Sequence, residues 1–304
     1  MALPYRWQWR LERWKNSLRG LFGGGDQQPR PKLCPACGSL VGITATRCHE
    51  CGTSLRFSLA AMSKGLSGVF GGNAPVSTLL LIANLIMFGV TWLVGMRLGE
   101  NSGGFNILLG MNGEALYRLG MSIPFRYDDY SWYRFFTSEY LHGGLLHIGM
   151  NMLVLMDIGP LVEEAYGSAR YFFFYTVAGL CGALLSATLS SHPSVGASGA
   201  ILGMAGVLIA MTGRSSGIQM QQMRSRLISW VVTIFAIGFM FSGLRTDNWA
   251  HLGGIAAGFV LGKVFADRQQ VTPKERNTAY ALGWLAAAAV ATSFVFMILH
   301  FNRQ

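Results

Sequence analysis

The run Gly196-Ala197-Ser198-Gly199 sets a serine hydroxyl among small residues at the start of an apolar stretch, where it is a candidate nucleophile. Alone, G-x-S-G is a weak signal in a chain with 39 glycines. No strand precedes Ser198, so the strand-turn-helix elbow of soluble hydrolases is not expected. Weight comes from polar groups stranded in other apolar stretches. His251 stands near the start of one, in Asn248-Trp-Ala-His251-Leu-Gly-Gly, and His147 and Asn151 stand four apart near the start of another. The i, i+4 spacing puts His147 and Asn151 on one helix face. Ionisable groups in a membrane interior are costly and mark function by default. A serine beside a histidine is a nucleophile with a general base.

A second group of chemistry-bearing residues is Cys34-Pro-Ala-Cys37, then ten residues, then Cys48-His-Glu-Cys51. Two CxxC knuckles this close supply four thiolates for a structural, tetrahedral zinc site. A redox dithiol or disulfides are the alternatives, and cytoplasmic placement disfavours persistent disulfides. Cys181 stands alone in an apolar stretch and is expected to serve packing.

The elements that must position these groups follow from composition. Of 304 residues, 51% are hydrophobic and only 12% charged, about half the charged share of a soluble domain. Residues 1–76 hold ten of the 24 Lys and Arg. The pattern predicts an all-α polytopic membrane protein with about seven transmembrane helices, near 77–96, 144–161, 170–190, 198–213, 227–243, 249–266 and 279–300. No cleavable signal peptide is expected, since residues 1–22 are basic and Trp-rich without an apolar core and cleavage site.

With the N-terminus inside, the inside segments collect 18 Lys and Arg and the outside ones keep 6. The N-terminus is therefore expected in the cytoplasm and the C-terminus outside. The net charge of +10 reads as a topology signal rather than as nucleic-acid binding. The second, fourth and sixth spans then enter from the outer surface, which sets His147, Ser198 and His251 at similar depth on one side. Gly254, Gly258 and Gly262 recur every four residues below His251. Small residues facing them on the fourth span let two backbones approach closely, as a Ser–His hydrogen bond requires. The same pattern also fits ordinary small-residue helix packing, with His251 satisfied by a carbonyl.

The domain organisation reads as 1–31, a basic amphipathic segment and linker; 32–57, a four-cysteine zinc ribbon; 58–76, a linker; 77–266, a six-helix core; and 267–304, a cytoplasmic loop and seventh helix. Residues 1–22 interleave Trp7, Leu11, Trp14, Leu18 and Leu21 with basic residues, which suits either a helix lying in the anionic leaflet or a disordered basic tail.

Tyr133-Arg-Phe-Phe-Thr-Ser-Glu-Tyr-Leu-His142-Gly-Gly-Leu-Leu-His147-Ile-Gly-Met-Asn151-Met resembles the first-loop and second-span signature of rhomboid intramembrane serine proteases. Glu163-Glu-Ala-Tyr-Gly167, Gly196-Ala-Ser198-Gly199 and Ala250-His251-Leu-Gly-Gly continue the resemblance in order. It covers roughly residues 77–266 and implies a rhomboid-like helical bundle with an extra C-terminal span. It implies Ser198 as nucleophile and His251 as base, a dyad without an acidic third member. His147, Asn151 and the Ser198 backbone N–H would form the oxyanion hole.

By the same resemblance His142, Arg134 and Glu163 are structural residues near the site. Gly196, Gly199 and Asn248 belong beside them. The fifth span and the Ser242–Asn248 loop would gate and cap the site. No cofactor is implied for catalysis, and the zinc of Cys34, Cys37, Cys48 and Cys51 would be structural. Implied partners are transmembrane protein substrates and the lipid bilayer, in a bacterial-type inner membrane. Two departures stand out. Tyr133 precedes Arg134 where the family usually has Trp, and Leu202 stands where many members stack an aromatic ring on the catalytic histidine. The rival functions are an inactive rhomboid-like scaffold that binds membrane proteins, a transporter or channel, and a nucleic-acid adaptor on a membrane anchor.

Overall fold

The structure is a computed structural model, and it describes residues 32–34, 40–42, 45–50, 74–99, 110–127, 131–240, 246–265 and 272–302. The chain divides into two compact units, Met1–Thr78 and Leu79–Gln304. In the first, β1 (Lys32–Leu33) pairs antiparallel with β2 (Leu40–Val41), and Cys34, Val41 and Cys48 form one buried cluster. Residues 1–31, Cys37 and Cys51 lie outside the described residues, and so does most of the expected linker.

The helices are α1 (Pro75–Arg97), α2 (Gly113–Arg118), α3 (Arg134–Thr137), α4 (Leu145–Tyr166), α5 (Ser168–Leu189), α6 (Ser198–Thr212), α7 (Ile218–Met240), α8 (Asn248–Val264) and α9 (Pro273–His300). All seven expected spans are present as helices. Five of them (α1, α4, α5, α7 and α9) are long and apolar enough to cross a bilayer alone. The other two, α6 and α8, have 15 and 17 residues. α6 is buried along nearly its whole length, whereas α8 buries one glycine-rich face and exposes Leu252, Val260 and Val264 on the other. This is an all-α polytopic membrane protein.

Local sequence explains the helix ends. Asp247 caps α8, accepting from the amides of Trp249 and Ala250, and Thr272 and Glu275 form a reciprocal capping box on α9. Between α4 and α5 the chain turns at Gly167, whose φ of 82° suits glycine. Glu163, buried there, accepts a hydrogen bond from the Ser168 hydroxyl at 2.6 Å.

Helix ends differ from the expected spans by up to nine residues, and α9 begins at Pro273 rather than 279. α7 begins at Ile218, nine residues before 227, and α4 continues to Tyr166 beyond 161. The extra turns carry Gln221, Gln222, Arg224 and Arg226 in one case and Glu163 and Glu164 in the other. A hydropathy window finds the part of a helix that suits lipid, whereas the helix itself continues into polar surroundings.

The centre of the bundle is a three-helix seam of α5, α6 and α8. A Cβ at Gly254 would lie 2.0 Å from the Gly199 carbonyl oxygen, and one at Gly258 would lie 1.9 Å from that of Gly203. One at Gly182 would lie 2.6 Å from the Ala250 carbonyl oxygen. The backbones therefore touch directly. A second cluster lies at one end, where Leu116, Leu119, Tyr133 and Leu141 of the loop after α1 meet Met297 of α9. Tyr133 stacks on His300 of α9, with ring centroids 5.7 Å apart.

Candidate active site

Ser198 is the first residue of α6 and His251 lies one turn into α8. The glycine seam just below them draws the two helix starts together. His251 Nε2 lies 2.9 Å from Ser198 Oγ, a hydrogen bond within the range that proton transfer needs. His251 is buried, and its Nδ1 has no hydrogen-bond partner among the described residues. The nearest acidic side chain in sequence, Asp247, is committed elsewhere. Its Oδ1 caps α8, and its Oδ2 accepts from the Ser186 hydroxyl of α5. Among the described residues, no carboxylate bonds to His251, and it meets Ser198 as a pair.

Two further residues, His147 and Asn151, face the turn before Ser198, which Gly196 shapes. Gly196 holds a φ of 128° and leaves no room for a side chain, since a Cβ there would lie 2.8 Å from His147 Nε2. Its N–H donates to the Ser138 carbonyl at 2.9 Å, which ties the turn to the loop before α4. His147 Nδ1 accepts the Gly143 N–H at 3.3 Å, so Nε2 is the nitrogen that carries the proton and it faces this turn. Asn151 Nδ2 would lie 3.7 Å from the same Cβ position; it is buried and has no partner among the described residues. A buried amide donor without an acceptor is costly unless something else supplies one. Two side-chain donors therefore face the turn that leads into Ser198.

The other expected neighbours act on shape. Arg134, almost fully buried, donates from Nη1 to the Tyr117 and Met121 carbonyls at 2.8 and 3.2 Å and lies over the Tyr117 ring. It fastens α2 to the loop that carries Ser138. His142 is fully buried and packs edge-to-face on His147, with ring centroids 5.1 Å apart. Burial, and then the nearby His147, pull its pKa from 6.5 to about 3, so it stays neutral. Asn248 lies where α8 meets α7, its Oδ1 2.4 Å from a Cβ placed on Gly238, while Gly199 belongs to the seam.

Sequence reasoning missed one group. Glu139, in the 3-10 turn Ser138–Tyr140, is buried, and its carboxyl oxygens have no partner among the described residues. It fills the space left by Gly179 on α5, where a Cβ would fall 2.2 Å from the carboxyl carbon. With Ser138, Gly196, Gly199 and Ala250 it lines a cavity of about 20 Å³, room for one water molecule. The available signal was that Glu139 is the one acidic residue in the motif Tyr133–Met152.

Burial raises the Glu139 pKa well above that of an ordinary carboxylate. The folded protein then holds a proton that the unfolded chain releases above its own carboxyl pKa. The stability this gives is full at acid pH and is lost as pH rises through the folded pKa. Glu139→Gln is expected to remove that dependence and to raise the unfolding temperature at pH 8 more than at pH 5, as measured by thermal unfolding in detergent.

Fold and site together define the class: a membrane-embedded helical bundle with a Ser–His pair at the meeting of two short, glycine-seamed helices. Residues 129–268 match the family model described as Rhomboid domain, and the chain is a rhomboid family protein. It is 32% identical over 238 residues to Rhomboid protease GluP of Bacillus subtilis, covering 77% of this chain and 43% of that protein. It is 36% identical over 177 residues to RHOMBOID-like protein 5 of Arabidopsis thaliana, covering 56% of each. Inactive RHOMBOID-like protein 8 of the same plant is 27% identical over 152 residues, 49% of this chain and 43% of that one. The chain spans about half the length of these relatives.

Proposed function

We propose that this protein is an intramembrane serine endopeptidase that cuts transmembrane segments of other proteins near the outer membrane face. The observation that carries the reading is the 2.9 Å contact between His251 Nε2 and Ser198 Oγ. His251 takes the hydroxyl proton as Ser198 attacks the scissile carbonyl, then returns it to the leaving amine. Negative charge developing on that carbonyl oxygen is met by His147 Nε2–H, Asn151 Nδ2 and the Ser198 backbone N–H, in surroundings where charge is poorly screened. Water then hydrolyses the acyl-enzyme. A peptide bond in a regular helix is shielded, so substrates with helix-weakening residues near the cut are favoured.

The distribution of Lys and Arg supports a cytoplasmic N-terminus and an outer catalytic face, and the extra span at the C-terminal end suits a bacterial-type inner membrane. α7 is the least buried span of those that cross the bilayer unaided, which suits a lateral entrance. The test is cleavage of single-span proteins in liposomes, with the cut sites read by mass spectrometry. A relative named as inactive makes a non-proteolytic scaffold the second reading. Labelling of Ser198 by a fluorophosphonate separates the two, since a scaffold with an unreactive serine takes no label.

For the N-terminal unit we propose a structural zinc held by Cys34, Cys37, Cys48 and Cys51, with no part in catalysis. Cys34 and Cys48 come from the two separate knuckles and are buried in one cluster, and thiolates so placed suit a soft tetrahedral metal. Purified protein is expected to contain one zinc per chain by elemental analysis, and Cys34→Ser with Cys48→Ser is expected to contain none. An unchanged zinc content in that double variant would refute the site.

A further inference from the structure

We propose that Phe235 of α7 positions the His251 ring, so that the base is held in register only while α7 is docked on the bundle. The proposal rests on reading Ser198 and His251 as the catalytic pair. His251 makes one side-chain hydrogen bond, to Ser198, and its Nδ1 has no partner among the described residues. In most Ser–His sites a second hydrogen bond at Nδ1 fixes the ring orientation. Here rotation of the imidazole must be limited by packing instead. Leu202, one turn after Ser198, is buried but offers no ring. Phe235 does: its ring meets His251 edge-to-face, with centroids 6.1 Å apart and planes at 88°.

The position of Phe235 on its helix gives this contact a consequence. Leu227 and Val231 are the residues that α7 buries, and Phe235 extends their stripe by four more. Gly238 follows on the same side, so close to the segment leading into α8 that a Cβ would lie 2.6 Å from Thr246 Oγ1. Only 11% of the apolar window of α7 is buried, against 50% for α5. The ring that aligns the base thus stands on a weakly held helix. Displacement of α7 removes the ring from His251, and return of α7 after substrate entry restores it. Entry and alignment of the base are thereby separated in time.

The test uses the full-length protein with Phe235→Leu, which keeps bulk but loses the ring, and Phe235→Tyr, which keeps the ring. Two rates are read: cleavage of a transmembrane reporter in liposomes, and labelling of Ser198 by a fluorophosphonate small enough to need no lateral entrance. Thermal unfolding checks that each variant is folded. Phe235→Leu is expected to lower kcat and the labelling rate together by about five- to tenfold with KM little changed. Phe235→Tyr is expected to stay within about twofold of the parent, as loss of an aromatic edge is what carries the effect. Labelling of Phe235→Leu at the parent rate would overturn the proposal. A rise in cleavage without a change in labelling would also overturn it and make Phe235 a barrier to entry. Parent protein that takes no label would instead remove the Ser–His reading beneath it.

Discussion

Ser198→Ala is expected to abolish cleavage of a transmembrane reporter, with a loss of at least about 10⁴-fold in kcat, the scale on which nucleophile and base act in Ser–His enzymes. The hydroxyl is the only atom lost, at a helix start held by backbone contacts of Gly199 with α8. The fold is therefore expected to be unchanged, with the same unfolding temperature. His251→Ala is expected to cost about as much, and the double variant no more than either single one, because nucleophile and base work as a unit. Single-turnover cleavage in liposomes reads all three. Normal turnover by the Ser198→Ala protein would end the proteolytic assignment. Additive losses would mean that the 2.9 Å contact is not the working pair.

Gly258→Val is expected to have the largest effect on stability. A Cβ at this position falls 1.9 Å from the Gly203 carbonyl oxygen and 2.5 Å from its carbon, both backbone atoms on α6. No rotamer change can relieve such an overlap, so α6 and α8 must separate. Overpacking of a rigid seam costs about 3 kcal/mol or more. Any protein that still folds is expected to be poorly labelled by a fluorophosphonate, since the shift moves His251 away from Ser198. Gly89 on α1 is the control, with nothing within 4 Å of its Cβ position. Gly89→Ala is expected to be neutral or to stabilise by up to about 1 kcal/mol, the helix preference of alanine over glycine. Thermal unfolding in detergent measures both; equal behaviour of the two positions would mean that the seam is not tight.

Much of this fold was legible because a bilayer imposes a strong rule. Twenty apolar residues without charge have few other uses, so the spans could be located, and the polar residues within them were conspicuous for the same reason. The period of Gly254, Gly258 and Gly262 by itself announced close helix approach. Less legible were the helix ends at Ile218 and Tyr166, where polar residues extend a helix beyond the part that lipid selects. Glu139 was overlooked because its meaning depends on Gly179, forty residues away on another helix, whose missing side chain makes the room. Leu202 raised the question of what orients His251, and nothing in local sequence distinguished Phe235 from the other apolar residues of α7.

By itself, then, the sequence determined an all-α membrane protein, the order of its spans and the identity of Ser198 and His251 as candidates. These follow from local properties: hydropathy, residue type and helical period. Only the tertiary structure decided that Ser198 and His251 stand at hydrogen-bond distance and that Asn151 lacks a partner. It also put an aromatic ring from α7, and not one from α6, against the base. Those facts depend on which helices touch and at what rotation, and the seam that sets both is made of glycines, whose contribution is the absence of a side chain.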